Sequence, residues 1–150
     1  MLRRSVSRHA AFTNPADADL SAFLRSVKTV AVVGISTDPH RPSYHVAEYL
    51  QSVGRRIIPV RPGGGRILNE PIAVSVTASD VACVFRNPKD LGPVIEELCT
   101  LGPHAVRCVW LQEGVVCEAA AARAKEAGFF VVMDRCILKE IERLLGGAKL

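Results

Sequence analysis

The feature that most restricts the fold is a repeating rhythm in which continuous apolar runs are each followed by an amphipathic stretch of roughly a dozen residues. Thr29 to Val33 precedes Val46, Leu50 and Val53 at helical spacing; Val81 to Phe85 precedes Leu91, Val94, Ile95, Leu98 and Leu101. Ala105 to Leu111 precedes an alanine-rich stretch from Val116 to Ala127, and Phe129 to Met133 precedes Ile137, Ile141, Leu144 and Leu145. Strands apolar at every position are buried on both faces, as parallel strands are, and each amphipathic stretch is long enough to be the crossover helix a parallel pair requires. Right-handed crossovers then give a doubly wound α/β sheet. A chain of 150 residues holds one such domain with a full core.

Local signals set the boundaries. Asn14-Pro15 reads as a helix start with a capping amide, followed by Leu20, Phe23, Leu24 and Val27 at helical spacing. A second helix starts at Pro42-Ser43 and stops at Gly54, a third starts at Asn87-Pro88 and stops at Gly102, and Gly128 ends the fourth. Arg56 to Val60, RIIPV, is a strand whose Pro59 argues against hydrogen bonding on both sides. The alternation from Ile72 to Val76 gives a third short strand. The expected layout is a basic extension over residues 1–15 and one Rossmann-like domain over residues 16–150. In such a sheet ligands sit beyond the carboxyl ends of the strands, which predicts a site at Gly34 to Ser36, Val60 to Pro62 and Phe85 to Asn87.

Charge and cysteine usage narrow the chemistry. Five arginines, Arg41, Arg55, Arg56, Arg61 and Arg66, fall between positions 41 and 66 against one acid, Glu48, a balance that suits an anionic ligand. Arg55 and Arg56 read as solvated turn residues. No lysine-rich tract, aromatic platform or helix-turn-helix pattern accompanies the cluster, so nucleic acid is not the expected partner. No apolar run reaches the roughly 20 residues that span a bilayer, so no membrane insertion is expected. Five cysteines, with no C-x-x-C pair, fit neither a zinc site nor a disulfide framework, and reduced thiols in a cytoplasmic setting are expected. Arg3, Arg4 and Arg8 without an acid in the first sixteen residues would also suit a mitochondrial leader, which makes mitochondrial the alternative address.

The loop after the first strand carries a single glycine, Gly34, and no G-x-G-x-x-G pattern. The second strand ends in Arg61, where a NAD site needs an acid for the ribose hydroxyls. The ligand is therefore expected to carry a phosphate on its adenosine ribose, and NADP and coenzyme A both qualify. No catalytic residue is assigned: His9, His40, His45 and His104 lack a carboxylate and nucleophile at a recognisable spacing, and no metal site is expected. Cys136, at a strand-to-helix turn, is the candidate reactive thiol.

These residues fall into a longer pattern. V-V-G-I-S at Val32–Ser36, R-P-S-Y-x-V-A-x-Y-L at Arg41–Leu50, R-I-I-P-V-x-P at Arg56–Pro62, V-F-R at Val84–Arg86, W-L-Q-E-G-V-V at Trp110–Val116 and V-M-D-R-C at Val132–Cys136 stand in one chain. Together they resemble the small single-domain CoA-binding proteins related to the CoA-binding domain of the succinyl-CoA synthetase alpha subunit, over roughly Leu20 to Leu144. The resemblance implies that Gly34, Ile35 and Ser36 line the pantetheine and diphosphate path, and that Arg41, Pro42 and Ser43 present a helix N-terminus to phosphate. It implies further that Val60 and Pro62 flank the adenine, that Phe85 and Arg86 face the ligand, and that Trp110 and Gln112 close the far side. Arg61 departs from the family, which usually carries asparagine there. The expected function is binding of coenzyme A or an acyl-CoA as a carrier, sensor or regulatory module without turnover, with a homo-oligomer or a protein partner left open. Two alternatives stand beside it: an NADP-linked or thiol-dependent acyl-CoA enzyme, and an interaction protein with a vestigial nucleotide site.

Overall fold

The computed structural model describes residues 12–146. The basic extension, and with it the proposed leader, lies almost wholly outside the described residues. Helix α1 (Asp17–Ser26) leads into β1 (Thr29–Val33), α2 (Pro42–Ser52) and β2 (Arg56–Val60). A small antiparallel hairpin, β3 (Arg66–Ile67) and β4 (Glu70–Pro71), precedes β5 (Ser79–Val84). Then follow α3 (Leu91–Leu101), β6 (Val106–Leu111), α4 (Glu118–Glu126), β7 (Phe130–Met133) and α5 (Ile137–Leu145). The five main strands are parallel in the order β2-β1-β5-β6-β7. The chain winds outward from β1 to one edge and then returns to β5 on the other side, so the switch point lies between β1 and β5.

Strand alternation divides the core. Val30 and Val32 of β1 face one way, with Leu20 and Leu24 of α1, Leu50 of α2 and Ile137 and Ile141 of α5. Ala31 and Val33 face the other way, with Leu91, Ile95 and Leu98 of α3 and Ala120, Ala121 and Ala124 of α4. A sheet covered on both faces leaves the two ends of its strands as the places where loops meet solvent, and the ligand rule selects the carboxyl end.

Three expectations are revised in detail, and the reading of Pro59 stands. Asn14 does not cap α1: its Oδ1 accepts from the Met133 amide at 2.8 Å and its Nδ2 donates to the Met133 carbonyl at 2.9 Å, so the side-chain amide covers the open edge of β7. The expected third strand reduces to one bridge, Val60 to Ala73, beside the hairpin. Pro59 is accommodated because β2 is an edge strand: its carbonyl, accepting from Ala73 at 2.8 Å, points away from β1, and so does its missing N–H. Arg55 is not a solvated turn residue; it is 3 % exposed, and its guanidinium donates to the carbonyls of Val53 and Leu24. A turn between α2 and β2 that runs under α1 leaves its side chain no route to solvent, whereas Arg56 is exposed as expected.

Candidate functional site

A cavity of about 990 Å³ opens at the carboxyl ends of the strands. Gly34, Ile35 and Ser36 after β1, Arg61 and Pro62 after β2, Phe85 and Arg86 after β5, and Gln112, Glu113 and Val115 after β6 line it, together with the first turns of α2 and α5. The close approach of β1 and β5 depends on Gly34. Its φ is +82°, and a Cβ there would stand 2.6 Å from the Phe85 carbonyl oxygen and 3.3 Å from the Arg86 Cδ.

The loop that follows holds itself open. The Ser36 amide donates to the Ser43 Oγ at 2.9 Å, the Asp38 amide to the Ser36 Oγ at 3.0 Å, and the His40 amide to the Asp38 Oδ1 at 2.9 Å. These bonds satisfy the loop locally and bury Ser43 to 5 % exposure. At the start of α2, Arg41 makes no side-chain cap and Pro42 occupies the first helical position. Pro42 carries no N–H, so the amides of Ser43 and Tyr44 form the open end of the helix, where the aligned peptide dipoles favour an anion.

Charge reinforces that preference. Arg41, Arg61, Arg86 and Lys139 line the cavity against one carboxylate, Glu113, which is paired with Lys139 at 2.8 Å. The three arginines form no ion pair among the described residues. Arg61 is positioned by one hydrogen bond, Nη1 to the Ile35 carbonyl at 3.1 Å, which holds the guanidinium over the end of β1 and leaves its remaining donors free to fork onto an oxyanion.

The far wall is built by stitching two sequence motifs together. Trp110 Nε1 donates to the Arg135 carbonyl at 2.8 Å, the Gly114 amide donates to Asp134 Oδ1 at 2.9 Å, and the Ile137 amide donates to Gln112 Oε1 at 3.2 Å. Asp134 takes a left-handed φ of 59°, a conformation that its short side chain helps to stabilise. The W-L-Q-E-G segment and the M-D-R-C segment are thus one structural unit, and its outcome is a second helix N-terminus, that of α5, with Cys136, Leu138 and Lys139 on the cavity.

The profile of the family described as CoA binding domain matches residues 28–142. The chain belongs to the CoA binding domain family. It is 37% identical over 132 residues to protein YneT of Bacillus subtilis (strain 168), covering 83% of this chain and 93% of that protein. Among solved structures it is similar to cell-free ID.343 from Thermus thermophilus, at 36% identity and a TM-score of 0.80 over 87% of this chain and 99% of the other. A hypothetical protein from Pyrococcus horikoshii OT3 gives 30% identity and a TM-score of 0.80 over 91% and 100%. The fold expected for the family, a Rossmann-like parallel sheet in one small domain, is the fold observed.

Of the residues expected at the site, Gly34, Ile35, Ser36, Arg41, Pro42, Ser43, Arg61, Pro62, Phe85, Arg86 and Gln112 are brought onto one cavity. Two, Trp110 and Val60, do not line it. Trp110 is wholly buried, because its position in β6 aims it between the sheet and α5. Val60 is 5 % exposed and packs into the opposite core layer, although its carbonyl accepts from Gly34 at 2.9 Å. His45 and Val46 on the first turns of α2, with Glu113, Val115, Leu138 and Lys139, were not foreseen. Helical spacing from Ser43 would have indicated Val46; nothing in the sequence places α5 beside α2.

Proposed function

We propose that the chain binds coenzyme A or an acyl-CoA in this cavity and acts as a carrier, sensor or regulatory module. The observation that carries the reading is the convergence of an uncapped, proline-initiated helix end with three arginines that no carboxylate neutralises among the described residues. The open amides of Ser43 and Tyr44 suit a diphosphate, and Arg61 at the end of β2 suits a phosphate on the adenosine ribose. The apolar floor offered by Ile35, Val46 and Phe85 suits an uncharged pantetheine arm. Membership of the CoA binding domain family supports the same ligand.

The test is calorimetric titration of the full chain with CoA, NADP and NAD. CoA is expected to bind more tightly than NAD, since the single-glycine turn and the basic β2 end provide no acid for unphosphorylated ribose hydroxyls. NAD binding as tight as CoA binding overturns the reading, and no binding of any of the three favours a vestigial site.

A further inference from the structure

The fold sorts the five cysteines. Cys83 and Cys108 are fully buried in the sheet, where desolvation pushes both thiols well above the usual range. Cys99 and Cys117 are half-buried on the α3–α4 side of the sheet. Cys136 alone lines the cavity, at the N-cap of α5 and immediately after the strand farthest from β2.

A second observation points to a ligand at this end. Gln112 is 4 % exposed and lines the cavity; its Oε1 is held by the Ile137 amide at 3.2 Å and the Cys83 thiol at 3.5 Å. Its Nε2 has no partner among the described residues. The nitrogen is not buried with the side chain but faces the cavity, so the fixed amide presents it there as a donor available to a ligand carbonyl. The residue that follows Cys136 supplies the amide that fixes it. A ligand chain with amide carbonyls and a terminal sulfur matches both groups.

We infer that Cys136 is a thiol–disulfide exchange site for the ligand's own sulfur, capturing CoA from its disulfide forms as a protein-bound mixed disulfide. The inference rests on the CoA reading of the cavity. The Cys136 thiol releases its proton to solvent and its Sγ attacks the CoA sulfur of the disulfide. The new S–S bond forms as the ligand's own S–S bond breaks, and the departing thiolate leaves with the electron pair and takes up a proton. Cys136 is oxidised to the disulfide level and the departing sulfur is reduced to a thiol, so the CoA disulfide is the only oxidant required.

The experiment incubates the reduced full-length protein, freed of reductant, with CoA disulfide and separately with oxidised glutathione, and follows adducts by intact mass and peptide mapping. One CoA adduct per chain is expected at Cys136, forming at least about tenfold faster than the glutathione adduct because the bound nucleotide holds the disulfide beside the thiol. It is slowed by the thiol-free nucleotide half of CoA and removed by dithiothreitol. The Cys99→Ser/Cys117→Ser double variant keeps the adduct, and Cys136→Ser loses it. Modification at Cys99 or Cys117 instead, equal rates for the two disulfides, or no adduct overturns the inference. Titration with reduced CoA in the presence of reductant separates the two readings. Binding without an adduct overturns the exchange step alone; absence of binding overturns the reading of the cavity and this step with it.

Discussion

At the scale of single residues, Arg61 and Gly34 shape the cavity and carry the predictions about its ligand. Arg61 uses one donor on the Ile35 carbonyl and keeps the others open to the cavity, where the proposed ligand would meet them. CoA is therefore expected to bind more tightly than dephospho-CoA by about 1.5–3 kcal/mol, the worth of a charge-assisted hydrogen bond, falling toward the lower end as salt rises. Arg61→Asn should shrink that preference. Losing the Ile35 contact affects both ligands alike, so a double-mutant cycle of two ligands against two proteins isolates the phosphate term. An unchanged preference would show that Arg61 serves only the β1 end. Gly34 has the opposite role, since it provides no side chain at all. Gly34→Ala combines a left-handed φ, costing about 1–2 kcal/mol, with a 2.6 Å approach to the Phe85 carbonyl. Urea unfolding should show a loss of at least that size, and CoA titration should weaken because the β1 and β5 ends must separate.

At the scale of elements, the two ends of the sheet have different duties. Away from the cavity, Asp80 at the start of β5 accepts from the amides of Lys28 and Thr29 at 2.8 and 3.0 Å, joining β5 to the start of β1, and pairs with Arg107 at 3.2 Å. Burial pushes its carboxyl up, but the two amides and the Arg107 guanidinium outweigh burial and hold it below the ordinary carboxylate range. A group lowered in the folded state stabilises the fold above its unfolded pKa and loses that contribution as pH falls below about 4. Asp80→Asn should destabilise the protein at neutral pH by about 1 kcal/mol, since the amide oxygen still accepts from both backbone amides, which share one carboxylate oxygen, while the charge and the Arg107 pair are lost. The gap between wild type and variant should close on acidification in pH-dependent urea unfolding. A gap that persists below pH 3 would assign the loss to packing instead.

At the scale of the whole molecule, a rigid parallel sheet separates these duties. Asp80 and Arg86 are six residues apart along and just beyond β5, about 20 Å at strand rise, with the buried run Val81 to Val84 between them. Arg86→Ala is expected to weaken CoA binding by about 1.5–3 kcal/mol while leaving the melting temperature unchanged. Combined with Asp80→Asn, the effects should add within about 0.5 kcal/mol in both unfolding and titration. A larger coupling would mean that the strand transmits strain from one end to the other.

How much of this was legible beforehand follows from the range of the interactions involved. Hydrophobic periodicity and glycine or proline punctuation are local, so the parallel sheet, its helices and the β1–α2 turn could be read directly, and the rule for carboxyl ends then located the cavity. Resemblance of motifs supplied the family. What the chain could not announce were interactions between residues distant in sequence. Asn14 has the identity of a helix cap and yet closes the β7 edge 119 positions away. Arg55 has the identity of a surface residue and lies beneath α1. Trp110 carries ligand-like chemistry and shares its face of the sheet with Gln112, two positions on, but it lies inside β6 under α5, whereas Gln112 stands past the strand end on the cavity. The convergence of α2 and α5 on one cavity was settled by the sheet order, because only the packed strands decide which crossover helices end side by side.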